Sequence, residues 1–221
     1  MEFSGNLFPT SWIVIAVLLF GWVMSRALRW ADWQRLAHRD QQHVFFGTVV
    51  GLLLLWSMRV EIQPGFSWHL CVMVTLTLMY GWSLAIIAGS LALVAVTLFG
   101  LNDWAGFAPS ALVFIVLPAT LTQVILGVVR AYLPKHYFVY VFVNAFFAGG
   151  LSAIVVALTA TAVLLVAGAF PLHKLADNYL QILPLMFFPE AVINGWLIAI
   201  MVGYKPDWVR SFRDEEYLHG K

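Results

Sequence analysis

The sequence predicts an all-α, polytopic membrane protein: a bundle of about seven transmembrane helices with its N-terminus outside and its C-terminus cytoplasmic. Three observations carry this reading. Hydrophobic residues make up 62% of the 221 and charged residues only 10%, with a mean hydropathy of +0.88; soluble domains hold about 45–50% apolar and about 25% charged residues. The apolar runs are long enough to cross a hydrocarbon core of ~30 Å as helices and lack the ~10-residue alternation of barrel strands. Lys and Arg gather in alternate connecting segments.

In chain order, the expected spans are 10–28, 43–60, 67–81, 83–100, 108–130, 137–168 and 180–203. Residues 1–204 read as one transmembrane domain and 205–221 as a short cytoplasmic tail. The third and fourth spans are separated only by Tyr80-Gly81-Trp82, and fusing them would overshoot the bilayer by about half, so a tight hairpin at Gly81 is expected. Pro109 and Pro118 predict a kink in the fifth span. In the long sixth, Ala148-Gly149-Gly150 predicts a bend or a close approach of a neighbouring helix.

With seven spans and the N-terminus outside, the inner segments hold Arg26, Arg29, Arg35, Arg39, Arg130, Lys135, Lys205, Arg210, Arg213 and Lys221, and the outer segments only Arg59 and Lys174. Ten against two is a strong positive-inside bias. Trp12, Trp30, Trp56, Trp68, Trp82, Trp104 and Trp196 fall at or near span ends, where interfacial aromatics belong. The opening segment Met1-Glu2-Phe3-Ser4-Gly5-Asn6-Leu7-Phe8-Pro9 has no basic residue before the first apolar run and no small-residue cleavage site after it, so it reads as a mature outer N-terminus rather than a leader. Glu2, Glu61, Asp103 and Asp177 would make the outer face mildly acidic and attract cations, unless the acids fall there by chance.

Chemistry is expected where polar groups enter the spans, because a charge at the bilayer centre costs ~2.5–3.5 kcal/mol on insertion scales. His69, at the outer start of the third span, is a candidate metal ligand or an interfacial histidine bonded to a loop carbonyl. On a helix, Cys71 two residues later would face away from it. Glu190 and Asn194, four apart in the seventh span, share a face. Glu190 is read either as a proton relay or cation ligand, or as a carboxyl bonded to Asn194 or to backbone freed by Pro184 and Pro189. Asn144 and Gln123 are expected to bond across helices, and Met73, Met79, Met186 and Met201 to pack or face lipid.

The single cysteine excludes an internal disulfide and a CxxC metal site. GxxxxGK[ST], HExxH and GxSxG are all missing, so no bound nucleotide and no enzyme activity is expected; the dispersed basic residues give no nucleic-acid footprint. An outer-facing candidate site without a motor points to a subunit that draws energy from a partner.

The chain resembles the CbiM-like substrate-binding permeases, the S components of energy-coupling-factor cobalt and nickel ABC importers. Met1 to Pro9 lies without a gap on that family's opening Met-His-Ile-Pro-(Asp/Glu)-Gly-Phe-Leu-Pro. Gly65-Phe66-Ser67-Trp68-His69-Leu70 is similar to its Gly-x-Ser-x-His-Leu, Phe99-Gly100-Leu101-Asn102-Asp103 to its Phe-Gly-(polar)-Gly turn, and Asn194-Gly195 to a Glu-Gly near the last span. The resemblance implies a seven-span bundle in the bacterial inner membrane, plugged from outside by its N-terminus. It also implies a transmembrane coupling subunit and ATPase subunits as partners, and a transported divalent metal ion held by Met1, Glu2 and His69. Glu2 stands where the family has a ligand histidine, and Ser110 or Pro109 where it has an asparagine. An amine, a carboxylate and an imidazole suit zinc or another borderline ion better than a square-planar nitrogen site. The alternative reading is an integral membrane scaffold or assembly protein with the same fold and no transport.

Overall fold

The computed structural model describes residues 2–213 and Tyr217. It is mostly helical, with helices α1 (Thr10–Trp30), α2 (Arg39–Ser57), α3 (Met73–Tyr80), α4 (Trp82–Leu98), α5 (Trp104–Tyr132), α6 (Tyr137–Val166), α7 (Leu172–Asn178) and α8 (Leu183–Tyr204). Among the described residues, four stretches are long and apolar enough to cross a membrane: α1, α5, α6, and α7 with α8. The other three expected spans are shorter or more polar. Helix α2 opens on Arg39-Asp40-Gln41-Gln42-His43, α4 has 17 residues, and α3 has only 8. At 1.5 Å per residue α3 covers ~12 Å, less than half a hydrocarbon core.

Two differences from the all-α expectation lie at one end of the bundle. Strands β1 (Glu2–Phe3), β2 (Val60–Gln63) and β3 (Phe66–Trp68) form a small antiparallel sheet in the order β1-β3-β2. The third helix also starts at Met73 rather than residue 67, because 66–68 pair in this sheet and 69–72 are non-helical. His69 therefore lies beyond a strand, and the helical-face argument that separated it from Cys71 does not apply.

The expected hairpin is present. Gly81 (φ +81°) separates α3 from α4, a backbone conformation glycine adopts freely. Trp68 and Asp103, at the far ends of this α3–α4 pair, both lie at the sheet end of the bundle, while Gly81 lies against Arg210 at the other. The prolines of α5 flank a π-helical stretch, Leu112–Val116, and a second one, Tyr140–Phe147, opens α6. A Cβ on Gly149 would come within 2.9 Å of the Glu190 carbonyl, so the small residues of α6 admit α8, as the sequence suggests. Val14, Leu18, Leu54, Leu98 and Ile200 lie exposed on outward helix faces, an apolar surface that fits a hydrocarbon surround.

One expectation about a side chain fails. Asn144 is 1% exposed, yet neither amide atom has a hydrogen-bond partner among the described residues. Trp56, at the end of α2 as expected, is 1% exposed and packs on the His69 ring at 5.0 Å between centroids.

Candidate functional site

Alternation along the strands sorts the sheet's side chains by face. Phe3 pairs with Phe66 on the inner face, where the Phe3 ring lies 5.5 Å from Phe66, 4.7 Å from Phe114 and 5.4 Å from Phe8. Fully buried, such a ring contributes about 1.5–3 kcal/mol. Glu2 pairs with Ser67 on the other face, and Ser67 also faces Glu61. Two residues past Ser67, the chain returns His69 to the side of Glu2.

Polar groups fasten this N-terminal strand to α5. The Phe3 N–H donates to Ser110 Oγ at 2.8 Å. The Gly5 N–H donates to both oxygens of Asp103, at 2.9 and 3.0 Å, and Ser4 Oγ and the Gly106 N–H donate to the same carboxylate. Burial pushes the Asp103 carboxyl up, but these hydrogen bonds outweigh it and hold the group below its usual range. Gly106 is required because a Cβ there would collide with the Phe3 carbonyl.

Of the three candidate ligands, the structure brings Glu2 and His69 together; Met1 lies outside the described residues. Both side chains are buried, at 3% and 2% exposure. Glu2 Oε2 accepts from Arg59 Nη1 at 2.6 Å, whereas Oε1 has no hydrogen-bond partner among the described residues and lies 3.9 Å from His69 Nε2. His69 Nδ1 sits 3.0 Å from the Leu70 carbonyl, which fits a proton on Nδ1. Burial raises the Glu2 carboxyl above its ordinary range, opposed by the Arg59 guanidinium. Two donors on one ion at ~2.1 Å stand ~3.0 Å apart at a right angle and ~3.4 Å apart in a tetrahedron, both shorter than the 3.9 Å between Glu2 Oε1 and His69 Nε2. Among the described residues, no group of three His, Cys, Asp or Glu side chains is arranged to hold one.

Glu190 and Asn194 hold the segment that presents His69. Glu190 Oε2 accepts from the Cys71 N–H at 3.0 Å, and Oε1 accepts from the Val72 N–H at 2.6 Å and the Asn194 amide at 3.1 Å. Asn194 Oδ1 in turn accepts from the Thr75 N–H and hydroxyl at 2.8 and 2.7 Å. These are side-chain caps on backbone donors at the start of α3. Three of the four acids expected on the outer face lie together: Glu2, Glu61 and Asp103 line one open pocket of about 280 Å³ with Arg59. Sequence reasoning missed Arg59 as a partner of Glu2, because Glu61, two residues away, is the acid nearest to Arg59 in the chain.

Residues 3–208 match the CbiM family, described as a cobalt uptake substrate-specific transmembrane region. The chain belongs to this family. The CbiM fold is also that of two crystal structures. One, a truncated transition metal transporter, is 15% identical with a TM-score of 0.77 and covers 92% of this chain and 99% of its own. The other, a transition metal transporter, is 16% identical with a TM-score of 0.74 and covers 92% and 93%. No curated protein matches by sequence. CbiM membership makes this chain a multi-pass membrane component of metal uptake, with an ion as the transported substrate.

Proposed function

We infer that this CbiM-family chain is the substrate-binding subunit of an energy-coupling-factor importer for a divalent transition metal ion. Met1, Glu2 and His69 capture the ion at the outer face of the bacterial inner membrane. A transmembrane coupling subunit and ATPase subunits supply the energy. The observation that supports this reading is Glu2 Oε1, a buried carboxylate oxygen facing the His69 imidazole with no hydrogen-bond partner among the described residues. Such an atom is costly to leave unmet, and a cation satisfies it together with the imidazole. Amine, carboxylate and imidazole donors favour zinc or another borderline ion.

Calorimetric titration of the full chain in detergent with Zn²⁺, Co²⁺ and Ni²⁺ tests this. His69→Ala and a chain carrying one extra residue before Met1 should each weaken binding by about 10–100-fold or more. Unchanged binding in both variants overturns the site.

One observation favours a second reading. The Arg59 guanidinium already pairs with Glu2, which is what a scaffold that has replaced its ion by an internal ion pair would need. Under that reading no metal titrates, and no ATPase subunit co-purifies.

A further inference from the structure

Helices α2, α3 and α8 enclose an apolar groove of about 750 Å³ that metal capture does not use. We propose that it holds one phospholipid of the surrounding bilayer, with an acyl chain lying along α2 and the phosphate at His43 and Arg39.

The groove takes its shape from α2. Arg39, His43, Gly47, Gly51 and Leu55 follow one another every fourth residue, so they form one inclined ridge of the helix. The last four of them line the groove. A Cβ on Gly47 or Gly51 would meet no atom within 4 Å, so here the glycines leave a channel, whereas Gly149 admits a neighbouring helix. Helix α3 forms the floor, with Leu76, and α8 the opposite wall, with Leu197. At the His43 end, Arg35 Nη2 and the Gln41 amide donate to Asp207 O at 2.8 and 3.2 Å. That tie joins the start of α2 to the segment after α8 and brings Trp208 into the lining.

Three features select a lipid chain as the occupant. Both threonines in the lining are already bonded: Thr48 Oγ1 donates to Val44 O and stands 2.7 Å from the Tyr80 hydroxyl, and Thr75 Oγ1 donates to Asn194 Oδ1. The length also fits. His43 to Leu55 is a rise of ~18 Å, close to one leaflet of a ~30 Å hydrocarbon core, whereas a docked transmembrane helix would run through the whole core. Charge supplies the third feature. His43 lines one end of the groove, and Arg39, which is exposed, continues the same ridge one turn beyond it, while Asp40 lies about 100° round the helix. A cation at one end and apolar walls beyond it match the pattern of a phospholipid, whose phosphate basic side chains beside membrane helices attract. Trp208 stands at the same end, at the depth where indoles meet headgroups. Helix α2 itself exposes Phe46, Val50 and Leu54, which places its outward face in hydrocarbon.

The test is native mass spectrometry of the full chain in detergent with added dipalmitoyl phosphatidylglycerol. One lipid should stay bound to the native chain. Gly47→Leu/Gly51→Leu fills the channel and should lower retention about tenfold, as the chain loses its packing contacts. Thermal stability should not fall, because both positions have open space and leucine is the better helix former. Gly21→Leu/Gly127→Leu, at two other glycines with open space, should leave retention unchanged. Arg39→Gln should lower it about fivefold, the effect of one basic side chain near a headgroup. Retention that survives the groove pair or Arg39→Gln, or that falls equally in the control pair, overturns the proposal. So does a protein dimer that the groove pair dissolves, since a second copy would then be the occupant.

Discussion

Replacing Glu190 with Gln changes no volume but removes one acceptor. The carboxyl now takes three donors: two backbone N–H groups at 3.0 and 2.6 Å and the Asn194 amide at 3.1 Å. A Gln offers one carbonyl and one NH₂, so either Cys71 or Val72 would direct its N–H at another donor. An unpaired buried N–H costs about 1–3 kcal/mol, and the loss of charge assistance in the remaining bonds adds about 1 kcal/mol. Val72 adds leverage, because it is held at φ +56°, where a β-branched residue carries strain of about 1–2 kcal/mol. Measured interhelical hydrogen bonds in membranes average about 0.6 kcal/mol, which puts the expectation at the low end, a loss of about 2 kcal/mol. Unfolding of the purified full chain in mixed micelles, followed by circular dichroism, reads this directly. Metal affinity should fall in parallel, since His69 lies on the segment released. Stability within about 0.5 kcal/mol of the native chain, with or without a change in metal affinity, would refute the argument that Glu190 anchors backbone.

Three further outcomes follow from the sheet. Gly106→Ala drives a methyl group into the Phe3 carbonyl and should cost about 1–3 kcal/mol, read as faster hydrogen exchange across residues 2–8; unchanged exchange would contradict the close approach. Because the Asp103 carboxyl is held below its ordinary value, its contribution is present above the usual Asp range of about 3.9 and is lost as pH falls through its own lower value. Protection of the Gly5 amide should thus survive to pH values near that range and fade only below it; loss near pH 6 would contradict the carboxylate bonds. Arg59→Gln leaves Glu2 without its cation, so thermal stability should fall by about 1–3 kcal/mol, while Zn²⁺ affinity rises several-fold as a competing positive charge disappears; a fall in both would count against Glu2 as a ligand.

Composition made the membrane bundle legible, and Gly81, Gly149 and the prolines of α5 marked where helices turn, touch or loosen. The sheet was not legible, because two to four residues of strand carry too little periodicity to stand out beside 20-residue apolar runs. Its existence depends on tertiary pairing: Phe66-Ser67-Trp68 reads as the opening of an apolar helix until β1 and β2 arrive on either side. Glu190 was visible as an intramembrane acid and Asn194 as its helical neighbour. Their partners, the backbone of Cys71, Val72 and Thr75, carry no side-chain signal in a sequence. Asn144 shows the converse: a polar residue in an apolar span predicts a cross-helix bond, but its amide, within a π-helical stretch, has none among the described residues.

The sheet's register decides how informative an N-terminal extension is. Strand side chains alternate faces, so sliding β1 by one residue would carry Phe3 out of its cluster with Phe8, Phe66 and Phe114 and move Glu2 onto the apolar side. Expelling a fully buried ring forfeits about 1.5–3 kcal/mol. The bonds of Asp103 to Ser4 and Gly5 would be lost as well. An added residue therefore extends the chain beyond β1 instead of shifting it. The extension displaces the terminal amine while Glu2 stays opposite Ser67, within reach of His69, and so separates the amine's part in holding an ion from that of the two side chains.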